Sequence, residues 1–451
     1  MSSAPLHSDL SDSTSYEKIR EDLIRPLHKN TFGNQVWIRF LIILILLGAF
    51  AYGHQLIKGL GVTAMRDYSA WGLYISNFVF WVAVSLIGSL ISSILKLLNQ
   101  NWSTPITRIS ELIAVGAITM AAASIVIDMG RPDRVLNIPL HGRLQSPIIW
   151  DFFIVNTYLV ISLILLYLPL IPDIAILRDR MTNAPKWQKK IYELLSLGWQ
   201  GTQSQWKLLK RAILVMIILI LPVAFSIHTV TSWLFAVTPR AGWHSTIFGP
   251  YFVSGAFVAG ASAVVIAMYV FRKRQNLQAY LTDKHFNKMN LLLILTMLLY
   301  AYFNINEYLV AGYTWQRLDG KHLQELFLGH EAPLFWLTQI LGLVLPIILL
   351  LFRPMRKPLP SMIIAIFVLI GAWIKRFLIV IPVQFNPQFP IQNVPEHFTH
   401  YIPTYTEIVV TLATLATAIL IITLLVRIFP VVPIWEVAHE KGFHKIFKAE
   451  K

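Results

Sequence analysis

Trp71-Gly72-Leu73-Tyr74-Ile75-Ser76-Asn77-Phe78-Val79-Phe80-Trp81-Val82-Ala83-Val84-Ser85-Leu86-Ile87-Gly88 contains no charged side chain. Extended to Leu97, the stretch exceeds the roughly 20 apolar residues that cross about 30 Å of hydrocarbon as a helix. Nine further runs of this kind accompany it. The ten candidate spans are 36–57, 70–97, 108–128, 148–171, 208–233, 248–271, 289–313, 334–352, 360–382 and 407–429. Of the 451 residues, 56% are hydrophobic and 14% charged, where a soluble domain carries about a quarter charged residues. Mean hydropathy is +0.60. These values exclude a soluble enzyme, a disordered chain and a fibrous protein. They predict an all-α integral membrane protein of about ten transmembrane helices.

Residues 1–35 are polar, Ser-rich and charged. The first span is long and no small-residue cleavage site follows it, so it reads as a retained helix. The chain has no cysteine. That excludes disulfides, iron–sulfur clusters ligated by this chain and covalent c-type haem. Only His54 and His228 lie within spans, both toward the same side, a poor basis for a bis-His haem. No phosphate loop, zinc motif or serine nucleophile elbow is present.

The net charge is +15. One side of the predicted bundle collects both termini and the connections 2–3, 4–5, 6–7 and 8–9. It holds 28 of the 38 Lys and Arg residues, the other side 10. The positive-inside rule therefore puts both termini in the cytoplasm. The basic residues are accounted for by topology and anionic lipid, without nucleic acid.

A weak repeat divides the chain. Spans 2 and 6 open with Gly72-Leu-Tyr74 and Gly249-Pro-Tyr251; spans 4 and 8 open with Ser146-Pro147 to Trp150 and Ala332-Pro333 to Trp336. The shared order predicts two four-helix bundles in parallel orientation, 70–233 and 248–382. Spans 36–57 and 407–429 flank them, and 430–451 is a basic tail. Coincidence of common membrane motifs is the competing explanation.

Ionisable residues at membrane depth are costly and become functional candidates. Toward the outer side lie His54, Asp67, Asp128, Asp151, His228, Glu307, Lys375, Arg376 and Glu407; toward the inner side lie only Arg39, Lys96, Glu111 and Asp173. The densest cluster is the 3–4 connection, with Asp128, Arg131, Asp133, Arg134, His141, Arg143 and Asp151. A histidine and carboxylates there could accept protons from a hydroquinone. Trp71, Tyr74, Trp150, Phe152 and Phe153 would wall its ring. The same residues could equally be helix caps and an interfacial aromatic belt. Lys375 and Arg376 on span 9 have Glu307 and Glu407 as possible partners at similar depth, as structural ion pairs or as a proton pathway.

The motifs Trp71-Gly72-Leu-Tyr74-Ile-Ser-Asn77, Gly130-Arg131-Pro132-x-Arg134 and Ser146-Pro147-x-x-Trp150 resemble the NrfD-like family of polysulfide, nitrite and dimethyl-sulfoxide reductase membrane subunits. Gly242-Trp243-His244-Ser245, Trp373-Ile-Lys375-Arg376-Phe and Pro403-Thr404-Tyr405-Thr406-Glu407 resemble one branch, the larger quinol-oxidising membrane subunit of bacterial alternative complex III. The resemblance implies two four-helix bundles with outer helices, in the bacterial cytoplasmic membrane. It implies a quinol, menaquinol first, as substrate at the outer face of the first bundle. His141, Asp151 and Asp128 would be the catalytic groups; Trp71, Tyr74, Asn77, Arg131, Trp150 and His228 would bind the quinol. The metal centres would belong to partners: an iron–sulfur/molybdopterin-like peripheral subunit, a multihaem cytochrome c subunit, a second NrfD-like membrane subunit, and smaller membrane and lipoprotein subunits. The alternative is the quinone-linked anchor of a polysulfide-type molybdenum reductase. A secondary transporter and a purely structural anchor are the other classes in play.

Overall fold

The structure, a computed structural model, describes residues 16–441 except 29–31, 182, 183, 388 and 390. Among the described residues nine helices are long and apolar enough to cross a membrane. We label the crossing helices in chain order. They are α1 (Phe32–Lys58), α2 (Leu73–Ser89), α3 (Thr104–Asp128), α4 (Pro147–Arg180), α5 (Gln203–Ala236), α6 (Phe248–Arg274), α7 (Asp283–Thr314), α8 (Ala332–Gln339), α9 (Pro358–Val380) and α10 (Tyr405–Ile428). The short α2 reaches crossing length because a π turn, Leu90–Ile94, and Leu95–Leu97 continue it without a break. A second π turn, Ile340–Val344, joins α8 to Leu345–Leu351. The chain is an all-α multi-pass membrane protein.

Successive helices alternate in direction. We call the side receiving both described chain ends the basic face and the other the loop face. In the first unit α2 packs on α3, α3 on α4, α4 on α5 and α5 back on α2; α6 to α9 repeat these pairings in the same order. The units meet chiefly along α2 and α6. Helices α1 and α10 pair with each other, and α10 packs on α3. Both outer helices therefore belong to the side of the first unit.

Lipid offers no hydrophobic drive for helix association, so close backbone approach has to supply it. The clearest case joins the π turn that continues α8 to α9. A Cβ on Gly371 would stand 2.6 Å from the Gly342 Cα, and one on Gly342 2.9 Å from the Gly371 Cα. Gly371→Leu is expected to force these helices apart and cost about 1–3 kcal/mol. Thermal unfolding in detergent would measure this; an unchanged midpoint would show that the contact is dispensable.

Three sequence boundaries need correction. Helix α4 runs to Arg180, not 171, because Pro169 and Pro172 are accommodated inside it. Helix α5 starts at Gln203, not 208, on a capping box formed by Thr202 and Gln205. The stretch read as a basic tail begins with a buried plug: Val431, Val432, Ile434, Trp435 and Val437 all pack inside, and Ile434–Glu440 is helical. The charge of that region hides an apolar core segment. Likewise residues 16–24 of the polar N-terminal segment are helical and bury Tyr16, Ile19, Leu23 and Ile24 at helical spacing. The remaining basic residues of the tail, Lys445, Lys448 and Lys451, lie outside the described residues.

Candidate functional site

Helix α4 starts at Pro147, whose missing N–H costs nothing at a first helical position. One turn in, it presents Asp151, only 3% exposed. The Thr231 hydroxyl of α5 donates to Asp151 Oδ1 at 2.6 Å. One turn before Thr231 on α5, His228 is 2% exposed. Its Nδ1 lies 3.0 Å from the Ala224 carbonyl oxygen. A carbonyl only accepts, so Nδ1 carries the proton and the neutral ring presents Nε2 as a base. That Nε2 is buried near the Val82 backbone, with no hydrogen bond of full geometry among the described residues. One turn beyond Thr231, Phe235 meets Trp71 edge-on at 5.5 Å and Trp243 at 5.2 Å. Trp71 and Trp243 are 5.6 Å apart. Trp71 is fixed by Gln384, which accepts from its N–H at 3.0 Å and donates to its carbonyl at 2.7 Å. An acid, a base and an aromatic lid thus share the loop-face end of the first unit.

The other sequence candidates separate into different environments. Tyr74 donates to Gln55 Oε1 at 2.6 Å, and Gln55 donates to the Ile127 carbonyl at 3.2 Å. This corner ties α1 to the end of α3 beside Asp128, whose Oδ1 is buried without a partner. Asn77 has both polar atoms engaged, donating to Thr411 at 2.8 Å and accepting from Trp373 at 2.8 Å. It is a strut between α2, α9 and α10, with one N–H and one lone pair of its amide still unassigned. Arg131 is exposed and grips Asp133 with two bonds of 3.0 and 2.9 Å, which hold the Asp133 carboxyl below its usual range. His141 ends the short helix Asn137–His141 and is exposed. Trp150 is also exposed and donates to the Leu144 carbonyl at 2.5 Å. The sequence-dense 3–4 loop is therefore mostly exposed, whereas Asp151 and His228 are buried on α4 and α5. Thr231 is not among the sequence candidates, although the spacing His228, Thr231, Phe235 puts all three on one helical face.

The second unit gathers three of the four residues read as a proton pathway. Lys375 is 3% exposed and donates to the Tyr308 hydroxyl. Its ammonium sits 4.5 Å from the Tyr308 ring centre and 5.7 Å from that of Tyr251. Glu307 accepts from the Ser245 hydroxyl at 2.8 Å. Arg376 lies against Gly255 and Tyr300. Two cavities meet at Lys375. Both are small: one is lined by Glu307, Tyr308, Asp319 and His322, the other by Tyr300, Thr338, Gln339 and Arg376. Glu407 does not join them. It takes N–H groups from Ala64 and Thr404, each at 2.9 Å, and hydroxyls from Thr404 and Tyr401. The motif Thr404-x-x-Glu407 is a capping box for α10, so the expected pairing of Glu407 with Lys375 or Arg376 is replaced by a helix cap.

Known subunits of reductases and oxidoreductases are similar in sequence to this chain. A putative dimethyl sulfoxide reductase membrane subunit of Halobacterium salinarum is 28% identical over 71% of this chain and 70% of its own length. A selenate reductase subunit of Mesobacillus selenatarsenatis is 22% identical over 88% of this chain and 94% of its own. The Hdr-like menaquinol oxidoreductase integral membrane subunit of Archaeoglobus fulgidus is likewise 22% identical over 88% and 94%. The family model for polysulphide reductase, NrfD, matches residues 61–388. That range contains α2 to α9 and leaves α1 and α10 outside, so the shared part is the pair of four-helix units. On a match this long, the chain belongs to the NrfD polysulphide reductase family.

Proposed function

We propose that this chain is the quinol-binding membrane subunit of a quinol:acceptor oxidoreductase of the alternative complex III type, in a bacterial cytoplasmic membrane with the loop face outside. The observation that carries the reading is the buried Asp151–Thr231 pair, set one helical turn from the buried Nε2 of His228 and one turn from Phe235 of the Trp71–Phe235–Trp243 cluster. A quinol has two hydroxyls that lose protons as two electrons leave. Asp151 takes one hydrogen bond and proton, His228 Nε2 the other, and the flat lid excludes water from the ring. His141 and Asp128 stand nearer the surface and receive the released protons. The electrons pass to an iron–sulfur or haem centre of a partner subunit. The relative named as a menaquinol oxidoreductase subunit supports menaquinol as the first substrate to test.

The purified native complex should reduce an external cytochrome c or copper protein with menaquinol analogues. A complex that shows no quinol-dependent reduction, and carries no quinone through purification, would sink the proposal. The names of the dimethyl sulfoxide and selenate reductase relatives favour a second reading, a membrane subunit feeding a molybdenum reductase. Reduction of such an acceptor by quinol, with no cytochrome reduction, would select it.

Glu307, Lys375 and Arg376 form, in this proposal, a water-assisted proton route through the second unit. Lys375→Met is expected to lower proton release per electron in sealed vesicles, while turnover in leaky vesicles stays within about twofold. A proton yield equal to wild type would remove Lys375 from any route.

A further inference from the structure

Glu111 on α3 has no role in the chemistry above. It is 3% exposed, and neither of its carboxylate oxygens has a hydrogen-bond partner among the described residues. Four other buried carboxylates are all held: Asp151 by Thr231, Asp173 by Arg108 and two backbone N–H groups, Glu407 by its cap, and Glu436 by Lys96. A carboxyl without a donor aimed at it is left open to water, and water is what usually completes such groups.

Its surroundings connect it to both ends of the first unit. Toward the basic face, Lys96, Glu436 and Arg108 are its charged neighbours. Lys96 pairs with Glu436 at 2.9 Å and its side chain is 25% exposed, so this pair forms a rim between Glu111 and solvent. Lys96 follows the π turn of α2, where the regular backbone ladder shifts register. Toward the loop face, α2 and α3 touch at Gly88, where a Cβ would stand 2.6 Å from the Ser110 carbonyl oxygen. Glu111 is therefore about one turn, ~5 Å, from the level of Ser85. There the Tyr158 hydroxyl donates to the Ser85 carbonyl at 2.8 Å, and the Ser85 hydroxyl to the Val82 carbonyl at 2.7 Å. One turn from Tyr158 on α4, Ser162 has a buried hydroxyl without a partner. Two turns the other way along α4 is Asp151, with His228 across on α5. Glu111, Ser162 and His228 Nε2 are thus three buried polar groups of the first unit without a hydrogen-bond partner among the described residues, at successive levels between the basic and loop faces.

We propose that the first unit carries its own proton path, from the Lys96–Glu436 rim through Glu111 to the His228–Asp151 site. The loop-face end of this path rests on the quinol reading; the Glu111 end does not. In each transfer the N–H bond formed at His228 Nε2 breaks, a bridging water passes the proton on past Tyr158, an O–H bond forms at the Glu111 carboxylate, and Glu111 then releases that proton to the rim. No electron moves and no other bond changes. The path would give the site proton exchange with the basic face in addition to the loop face, independently of the Lys375 cavities.

The test uses the native complex in vesicles oriented with the basic face accessible, comparing wild type, Glu111→Gln and Glu111→Asp. Gln keeps the shape and cannot carry the proton. Proton exchange measured from the basic face during turnover is expected to fall at least about tenfold in Glu111→Gln and to return in Glu111→Asp. Infrared difference spectra of wild type should show a carboxyl band on changing the redox state, and Glu111→Gln should lose it. Unchanged proton exchange, or a wild-type spectrum without a band assignable to Glu111, overturns the path. Failure of the quinol reading would appear separately, as absent quinol turnover in wild type.

Discussion

Asp151→Asn is expected to lower quinol turnover at least about a hundredfold while the complex assembles normally, because general acid–base groups contribute roughly 10²–10⁴ in rate. Asparagine has nearly the same shape, and its Oδ1 still accepts from Thr231, which lies 2.6 Å from the aspartate oxygen. It cannot take a proton. Thr231→Val leaves the carboxylate but removes its donor, a net loss of about 1 kcal/mol for such a bond, so turnover should fall only several-fold. His228→Phe keeps a flat ring at this position and removes Nε2, and should approach Asp151→Asn in severity. Steady-state assays at matched complex content would rank the three. If Asp151→Asn turns over normally, the acid is not at the site; if Thr231→Val is as damaging as Asp151→Asn, the role of the pair is positional.

These groups are only partly legible in the sequence. The spans are readable because length and apolarity in a bilayer are set by one dimension of one solvent. Their ends are not: Pro169 and Pro172 sit inside α4, and a buried plug hides within a basic tail. The site is readable residue by residue where a charge stands inside a span, as with Asp151, His228, Lys375 and Arg376. Polar residues clustered in a connection are harder to read: Arg131 and His141 are exposed, and Arg131 finds its partner, Asp133, close by in the same loop. Glu407 carries its own signal, since Thr-x-x-Glu before an apolar run marks a helix start. Thr231, Tyr308 and His322 give no signal beyond helical spacing, because their importance comes from neighbours on other helices. The Asn77 strut illustrates the same limit: its partners Trp373 and Thr411 lie roughly 300 residues away along the chain.

The largest stability effect should come from Asp173, on the basic face. Arg108 is buried and donates to Asp173 at 2.6 Å, to the Pro430 carbonyl at 3.1 Å and to the Pro169 carbonyl at 3.3 Å. Asp173 also accepts from the backbone N–H groups of Ile434 and Trp435, at 3.0 and 3.1 Å. The helix Ile434–Glu440 starts after Pro433, which has no side-chain cap to offer, so Asp173 caps it from another helix. One carboxylate thereby fixes α3, α4 and the C-terminal plug together. Asp173→Ala would leave the Arg108 charge buried and the two N–H groups unpaired, and breaking a buried pair in this way costs about 3–5 kcal/mol. The variant should melt well below wild type in detergent and lose its C-terminal segment early in limited proteolysis. The double variant Arg108→Met, Asp173→Leu should regain most of the melting temperature, since it removes the orphaned charge, but it should keep the proteolytic sensitivity because the uncapped N–H groups remain. Recovery of both would mean that the plug is held by packing alone; recovery of neither would mean that the ion pair itself stabilises the fold beyond the charge it neutralises.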